Sequence, residues 1–264
     1  MGSISDYLEL ELLDHVFNNG AYSQPNSLYV ALSTATVSDN ANGLTEPSTT
    51  TNYDRVGVDN WDTASGRQIA NTDLLTFNQA SDSWGTITHY AVCDDFVPGG
   101  GNMLAHGQLS TSKSVVAGNT PSIAIREIKL DATSGGMTDY LAEKLLDHVF
   151  KNTSYTAPTT VFISLSTSDP GVDGSGISEP STGENYDRVA HASWETASGG
   201  FTENSGDIEF NPASASWGTI TYMAICNSLA QGDVLWYDQA TPNQEPTAGD
   251  TVKFNDGDIE VTLD

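Results

Sequence analysis

Two Asp-His pairs are the residues of this sequence whose types most directly suggest chemistry. Asp14 precedes His15, and Asp147 precedes His148. A carboxylate that orients an imidazole is part of many acid–base sites. Both pairs, however, lie in segments with helical periodicity, where adjacent residues do not face each other. We therefore predict a structural or surface role for both pairs, and not a catalytic dyad.

An acidic, glycine-rich stretch at residues 169–176 is the nearest approach to a metal-binding motif. Its sequence, DPGVDGSG, lacks the ligand alternation of a calcium loop, and the corresponding residues 36–43 keep only scattered Asp and Asn. A plain acidic turn is the favoured interpretation. The sequence NYDR at residues 52–55 and again at 185–188 could form a polar site. We instead expect Tyr53 to pack, and Asp54 and Arg55 to pair within or between strands.

No recognised catalytic or phosphate-binding motif occurs in the chain. A glycoside hydrolase would need two carboxylates at a defined separation, and the sequence offers no such pair. We therefore predict that the protein is not an enzyme, with no catalytic residue, no cofactor and no metal site. Cys93 and Cys226 are equivalent positions 133 residues apart, and we predict two separate buried thiols.

The charge of the chain restricts its partners. Nine Lys and Arg stand against 35 Asp and Glu, for a formal net charge of −26. Such a surface repels phosphate backbones and anionic lipids, so we predict neither nucleic-acid nor membrane partners. No run of 18 apolar residues is present, which argues against a membrane span.

The sequence is a tandem repeat with an offset of 133 residues. The blocks that return are the helical segment 7–17, the pair EPST and NYDRV, and SWGTIT at residues 83–88. We predict a first β-domain at residues 1–131, a Gly/Ser linker at 132–136 that acts as a flexible hinge, and a second β-domain at 137–264.

Each repeat is predicted to open with one amphipathic helix and to continue as strands. Leu8, Leu12, Leu13, Val16 and Phe17 form one helical stripe, with Ser5 as the cap. Short strands follow at residues 28–32, 53–58, 74–77, 84–93, 103–109 and 123–130. A change of parity between Ile125 and Ile128 suggests a bulge in the last strand. The fold class is mainly β, with two tandem β-sandwich or jelly-roll-like domains.

Four blocks together carry a resemblance to a protein family. They are SDYLELELLDHV (residues 5–16), PNSLYVALST (25–34), NYDRV (52–56) and ASDSWGTITH (80–89). This pattern resembles tailed-bacteriophage virion structural proteins, which are small β-domain tail, fibre or capsid decoration proteins. The resemblance covers residues 4–131 and 137–264 and brings no catalytic residues with it.

The resemblance implies a structural role in the virion, on the outer surface of the capsid or on the tail. The favoured interpretation is a capsid decoration, or cement, protein that binds and stabilises the major capsid protein. The alternative is a tail or fibre component that contacts the host surface. The expected partners are the major capsid protein or other virion proteins, and the chain is expected to form a homo-oligomer.

Overall fold

The computed structural model describes residues 2–132 and 136–263, so part of the predicted linker, residues 133–135, lies outside the described residues. The first repeat contains one α-helix, α1 (Asp6–Phe17), and nine strands. The strands are β1 (Gly2–Ile4), β2 (Tyr29–Ser33), β3 (Val56–Gly57), β4 (Gln68–Ala70), β5 (Leu75–Thr76), β6 (Gly85–Cys93), β7 (Met103–Val115), β8 (Ser122–Ile123) and β9 (Lys129–Asp131).

The second repeat has the same order of elements, apart from the first strand. Its helix is α2 (Asp139–Phe150). Its strands are β10 (Val161–Ser166), β11 (Val189–His191), β12 (Phe201–Glu203), β13 (Ile208–Glu209), β14 (Ile220–Cys226), β15 (Val234–Gln244), β16 (Lys253–Phe254) and β17 (Glu260–Thr262). Short 3₁₀ turns lie at Thr49–Thr51 and Thr182–Glu184. The mainly-β prediction with one helix per repeat is confirmed.

The sheets are built mostly from antiparallel pairs. In the first repeat the strand order is β3-β2-β6-β7-β1-β9-β4, and in the second the main sheet has the order β11-β10-β14-β15. Small two-stranded pairs, β5-β8, β12-β17 and β13-β16, complete the repeats. These pairings join residues that are distant in sequence. The two-sheet sandwich arrangement stays a prediction.

The N-terminal segment enters the main sheet as an unexpected strand. β1 lies antiparallel to β7 and parallel to β9. Glycine is required on both sides of this approach, because a Cβ on Gly2 or on Gly107 would lie 2.6 Å or less from the Tyr90 hydroxyl. In the second repeat a single bridge from Met137 to Trp236 takes the place of β1–β7 pairing.

Equivalent residues make equivalent contacts in the two repeats. Ser5 caps α1 by accepting from the Leu8 N–H, and Thr138 caps α2 by accepting from the Leu141 N–H. The Trp84 indole donates to the Thr51 carbonyl, and the Trp217 indole donates to the Glu184 carbonyl. The duplication seen in the sequence is therefore a duplication of the fold.

The predicted strand at residues 123–130 is wrong in its middle. It is divided into β8 and β9 by a turn in which Arg126 has a φ of 60° and Ile125 is exposed. The parity change between Ile125 and Ile128 reflects this turn, and not a bulge. The sequence also failed to predict β1 and β4, because three-residue strands carry too little alternation to be recognised.

The two repeats share one apolar core. The largest cluster of buried side chains contains Leu8, Leu13, Leu141 and Leu146 together with strand residues of both repeats. Ala132 is buried at one side of the predicted linker, and Gly136 accepts a hydrogen bond from the Tyr237 N–H at the other. Residues 133–135 of the predicted linker lie outside the described residues, so the Gly/Ser linker stays a prediction.

Candidate functional site at the repeat junction

The junction between the repeats is formed by each helix packing against the other repeat. α1 contacts β12, and α2 contacts the equivalent β4. At the end of α1, Phe17 packs on Trp194 with ring centroids 5.0 Å apart. At the end of α2, Phe150 packs on Trp61 with centroids 5.3 Å apart. The packing is therefore reciprocal, as in a symmetric dimer whose two copies belong to one chain.

Asp14 and Asp147 reinforce this packing with hydrogen bonds that cross the junction. The Ala197 N–H donates to Asp14 Oδ1 at 2.8 Å, and the Ala64 N–H donates to Asp147 Oδ1 at 2.8 Å. Each carboxylate lies in the last turn of its own helix and binds a loop of the other repeat. These carboxylates position backbone and do not orient an imidazole, so the prediction that Asp14-His15 is no dyad agrees with the geometry.

His15 and His148 meet at the centre of the junction and are stacked, with centroids 5.0 Å apart. The Tyr22 N–H donates to His15 Nδ1 at 3.3 Å, and His15 Nε2 lies 3.2 Å from the Tyr155 carbonyl oxygen. In the mirrored arrangement, the Tyr155 N–H donates to His148 Nδ1 at 3.1 Å, and His148 Nε2 lies 3.4 Å from the Tyr22 carbonyl oxygen.

His15 Nδ1 also lies 3.1 Å from the Gly20 carbonyl oxygen, so whether this nitrogen donates or accepts depends on the tautomer of the ring. Burial lowers the pKa of His148 below its ordinary value, and the neighbouring His15 lowers it further. The junction thus favours the neutral form of His148.

A second polar cluster, the Glu46–Tyr53–Arg55 triad, holds the loop after β6. Arg55 Nη2 lies 2.8 Å from Glu46 Oε2, and their side chains are 1 % and 8 % exposed. The Tyr53 hydroxyl donates to Glu46 Oε1 at 2.9 Å. Arg55 Nη1 donates to the carbonyls of Asp95 and Gly100 at 2.8 and 2.9 Å, which clamps the loop at both ends.

The second repeat contains the same triad as Glu179, Tyr186 and Arg188. Arg188 Nη1 donates to the Ser228 and Gln231 carbonyls at 2.7 and 2.8 Å. The prediction that Tyr53 packs is correct, since its side chain is buried. The predicted Asp54–Arg55 pair is wrong, because Arg55 pairs with Glu46 and Asp54 Oδ2 accepts from the Asn78 amide instead. Glu46, in the repeated EPST block, is the partner that the sequence analysis missed.

The acidic stretch at residues 169–176 folds as a tight turn. Asp169 Oδ1 accepts from the Gly171 N–H at 2.8 Å, and Asp173 Oδ1 accepts from the Ser175 N–H at 3.0 Å. The Val172 carbonyl accepts from the Asp139 N–H, so the turn docks on the start of α2. Within residues 2–132 and 136–263, no group of three or more His, Cys, Asp or Glu is placed to hold a metal ion.

Cys93 and Cys226 are both buried and both free, as predicted. Burial raises the pKa of the Cys93 thiol to about 12, which keeps it protonated and unreactive at neutral pH. The two thiols occupy equivalent strand ends, β6 and β14. They act as small core side chains in separate repeats.

The polar side chains of these sequence motifs make contacts that stabilise the fold. The aspartates and histidines of the helices join the repeats, and the triads hold loops. The helices of the described chain are too short and too polar to cross a membrane. This arrangement suits a rigid structural module, and the comparisons with known proteins agree with it.

A protein-family model described as podophage GP4 fiber I protein gp80 matches residues 3–131 and again residues 136–262. No curated protein sequence matches the chain. The two matched segments coincide with the two repeats and together cover nearly the whole sequence. This chain therefore belongs to the family of the podophage GP4 fiber I protein gp80, carries the family's unit twice, and is a structural protein of a bacteriophage virion.

Proposed function

We propose that this protein is a fibre component of the virion, a rigid pseudo-dimeric module that binds other virion proteins and contributes to contact with the host surface. The observation that carries the proposal is the family match over both repeats, because its description names a fibre protein. The sequence favoured a capsid decoration protein, and the family match supports the fibre alternative better.

The reciprocal junction supports a module with a fixed internal orientation. Two repeats joined only by a hinge would move independently, whereas buried helix faces and cross-repeat hydrogen bonds fix their relative orientation. A fibre holds its tip at a defined place relative to the particle, so a fixed orientation of successive modules suits it. The acidic surface favours an outward position, away from packaged DNA.

The clamped loops supply candidate contacts to neighbouring virion proteins. Phe96 is 60 % exposed at the tip of the loop held by Arg55, and Leu229 is 56 % exposed at the equivalent tip held by Arg188. An exposed apolar side chain on an immobilised backbone loses little conformational entropy when it is buried by a partner. Assembly into a homo-oligomer stays a prediction.

Gold-labelled antibodies against the chain, imaged on intact particles by electron microscopy, test the proposal. Labels along the fibres or at their attachment points are the expected result. Labels distributed over the head lattice would support capsid decoration and refute the fibre assignment.

A further inference from the structure

An open cleft of about 430 Å³ lies in the first repeat, between the start of α1 and the segment that leads into β2. Three tyrosines, Tyr7, Tyr22 and Tyr29, line it together with Asn26 and Asp94. The cleft lies outside the triads, and its Tyr29 contacts Phe96 of the clamped loop with ring centroids 6.1 Å apart. Its volume suits a small ligand or one or two units of a polymer.

The floor of the cleft contains a polar group without a partner. Tyr22 is 8 % exposed, and its hydroxyl is buried without a hydrogen-bond partner among the described residues. Buried hydroxyls nearly always have a partner, because an unpaired one loses its hydration without replacement. A ligand that hydrogen-bonds to Tyr22 would remove this penalty.

The second repeat differs at the equivalent surface. There Tyr140 corresponds to Tyr7, and the pKa of its hydroxyl is raised by burial and by the neighbouring Asp233. Phe162 replaces Tyr29 and Asn227 replaces Asp94. The duplication has therefore produced two versions of one surface, and the first version retains the unpaired hydroxyl and the additional tyrosine.

We propose that this cleft binds a neutral saccharide, with a pyranose ring against the tyrosines and its hydroxyl groups on Tyr22, Asn26 and Asp94. The negative face of an aromatic ring attracts the weakly positive C–H groups on the face of a sugar ring. The short polar side chains around the rings supply the hydrogen bonds that a polyol requires. This inference rests on the proposed fibre function, since a surface glycan is a ligand that a fibre would meet.

The electrostatics of the cleft exclude anionic sugars. Asp94 lines it. Burial is the largest cause of the raised pKa of Tyr22, and the carboxylates of Asp94 and Glu11 raise that pKa further, so negative charge lies close to the cleft. No Lys, Arg or His is among the residues that line it. A sialic acid, uronic acid or phosphorylated sugar would be repelled, so the specificity is for uncharged glycans.

Binding of the full chain to a glycan array tests the inference. The array carries neutral oligosaccharides of glucose, galactose, mannose, rhamnose and N-acetylhexosamines. Sialylated and uronic-acid glycans on the same array test the exclusion of anionic sugars. The variants are Tyr22→Phe and its matched control in the other repeat, Tyr155→Phe. We expect retention of at least one neutral glycan, weakening of at least about fivefold for Tyr22→Phe, and unchanged retention for Tyr155→Phe.

Thermal melting separates binding from folding. Because the Tyr22 hydroxyl has no internal partner, Tyr22→Phe should not lower Tm. Retention of no neutral glycan, equal losses in both variants, or preference for anionic glycans would overturn the inference. Failure of the antibody labels to reach the fibres would refute the proposed function while leaving a measured glycan affinity intact, so the two failures are distinguishable.

Discussion

The imidazoles of His15 and His148 lie nearly parallel, with 6° between their planes, although 133 residues separate them in the chain. Each accepts a backbone N–H from its own repeat and approaches a carbonyl of the other. The stack is therefore a contact between the repeats, and burial within it favours the neutral form of His148.

The stacked histidines predict a loss of stability in acid. The pKa of His148 in the folded protein is below the ordinary 6.5, because of burial and then His15, so the unfolded chain binds its proton first. The stabilisation is complete above pH about 6.5 and decreases as the pH falls below that value. Melting temperatures measured between pH about 7.5 and about 5.5 should fall, while the carboxylates stay mostly ionised.

The variant His148→Gln isolates this effect. A glutamine amide accepts and donates as the neutral imidazole does, but it does not titrate. The variant should show a smaller fall of Tm on acidification than the wild type. His89→Gln, on β6 and outside the junction, is the control. In this variant the part of the acid-induced fall in Tm that comes from the junction should remain. An equal fall in His148→Gln and wild type would show that the stack is not responsible.

The cross-repeat carboxylates predict a second stability effect. Asp14→Ala removes the acceptor for the Ala197 N–H, and Asp147→Ala removes the acceptor for the Ala64 N–H. Each should lower the free energy of unfolding by about 1.5 kcal/mol, the low end for bonds to a charged group, because both carboxylates are partly exposed. Urea denaturation measures this, with the exposed Asp59→Ala as a control. Losses no larger than that of the control would contradict the assignment.

The helix stripe predicts large losses on truncation. Leu13 has no exposed surface and belongs to the core shared by both repeats. Leu13→Ala should cost about 2–5 kcal/mol, and Leu13→Asp should cost more because it buries a charge among apolar groups. Leu74, which is 60 % exposed, supplies the control Leu74→Ala. A melting temperature of Leu13→Asp equal to that of wild type would mean that the stripe is not buried.

The triad predicts a local effect on the loop after β6. Arg55→Met leaves Glu46 buried without its cation and should cost about 3–5 kcal/mol. Amide hydrogen exchange of residues 94–102 should accelerate, since the carbonyls of Asp95 and Gly100 lose their donor. Arg126→Met, at a surface pair with Asp62, should cost less than about 1 kcal/mol. Unchanged exchange in the loop would show that Arg55 does not hold it.

The sequence was sufficient for features that depend on local pattern or on repetition. The helices, the free buried cysteines and the packing of Tyr53 follow from periodicity and from the duplicated blocks. A pattern within one segment identifies an apolar face, but it does not identify what covers that face. The junction, in which α1 packs against β12 and α2 against β4, could therefore not be predicted from the sequence.

Side-chain pairs between residues distant in sequence also could not be predicted. Arg55 binds Glu46 across a loop and a 3₁₀ turn, and the neighbouring Asp54 instead accepts from Asn78. His15 and His148 meet because the two helices pack about one pseudo-twofold axis. The spacing of Asp14 and His15 does not predict that contact. The exact repetition of the Asp-His pair at residues 147–148 was the one sequence feature consistent with a symmetric contact between the repeats.

Particles that lack this protein test the central claim, that the chain serves in the fibre. Adsorption to host cells and thermal inactivation of the head are measured on the same depleted preparation. The account predicts that depleted particles adsorb poorly while their heads keep wild-type heat stability, and that added wild-type protein restores adsorption. Depleted particles that adsorb normally but lose their heads at lower temperature would contradict it and establish capsid decoration instead.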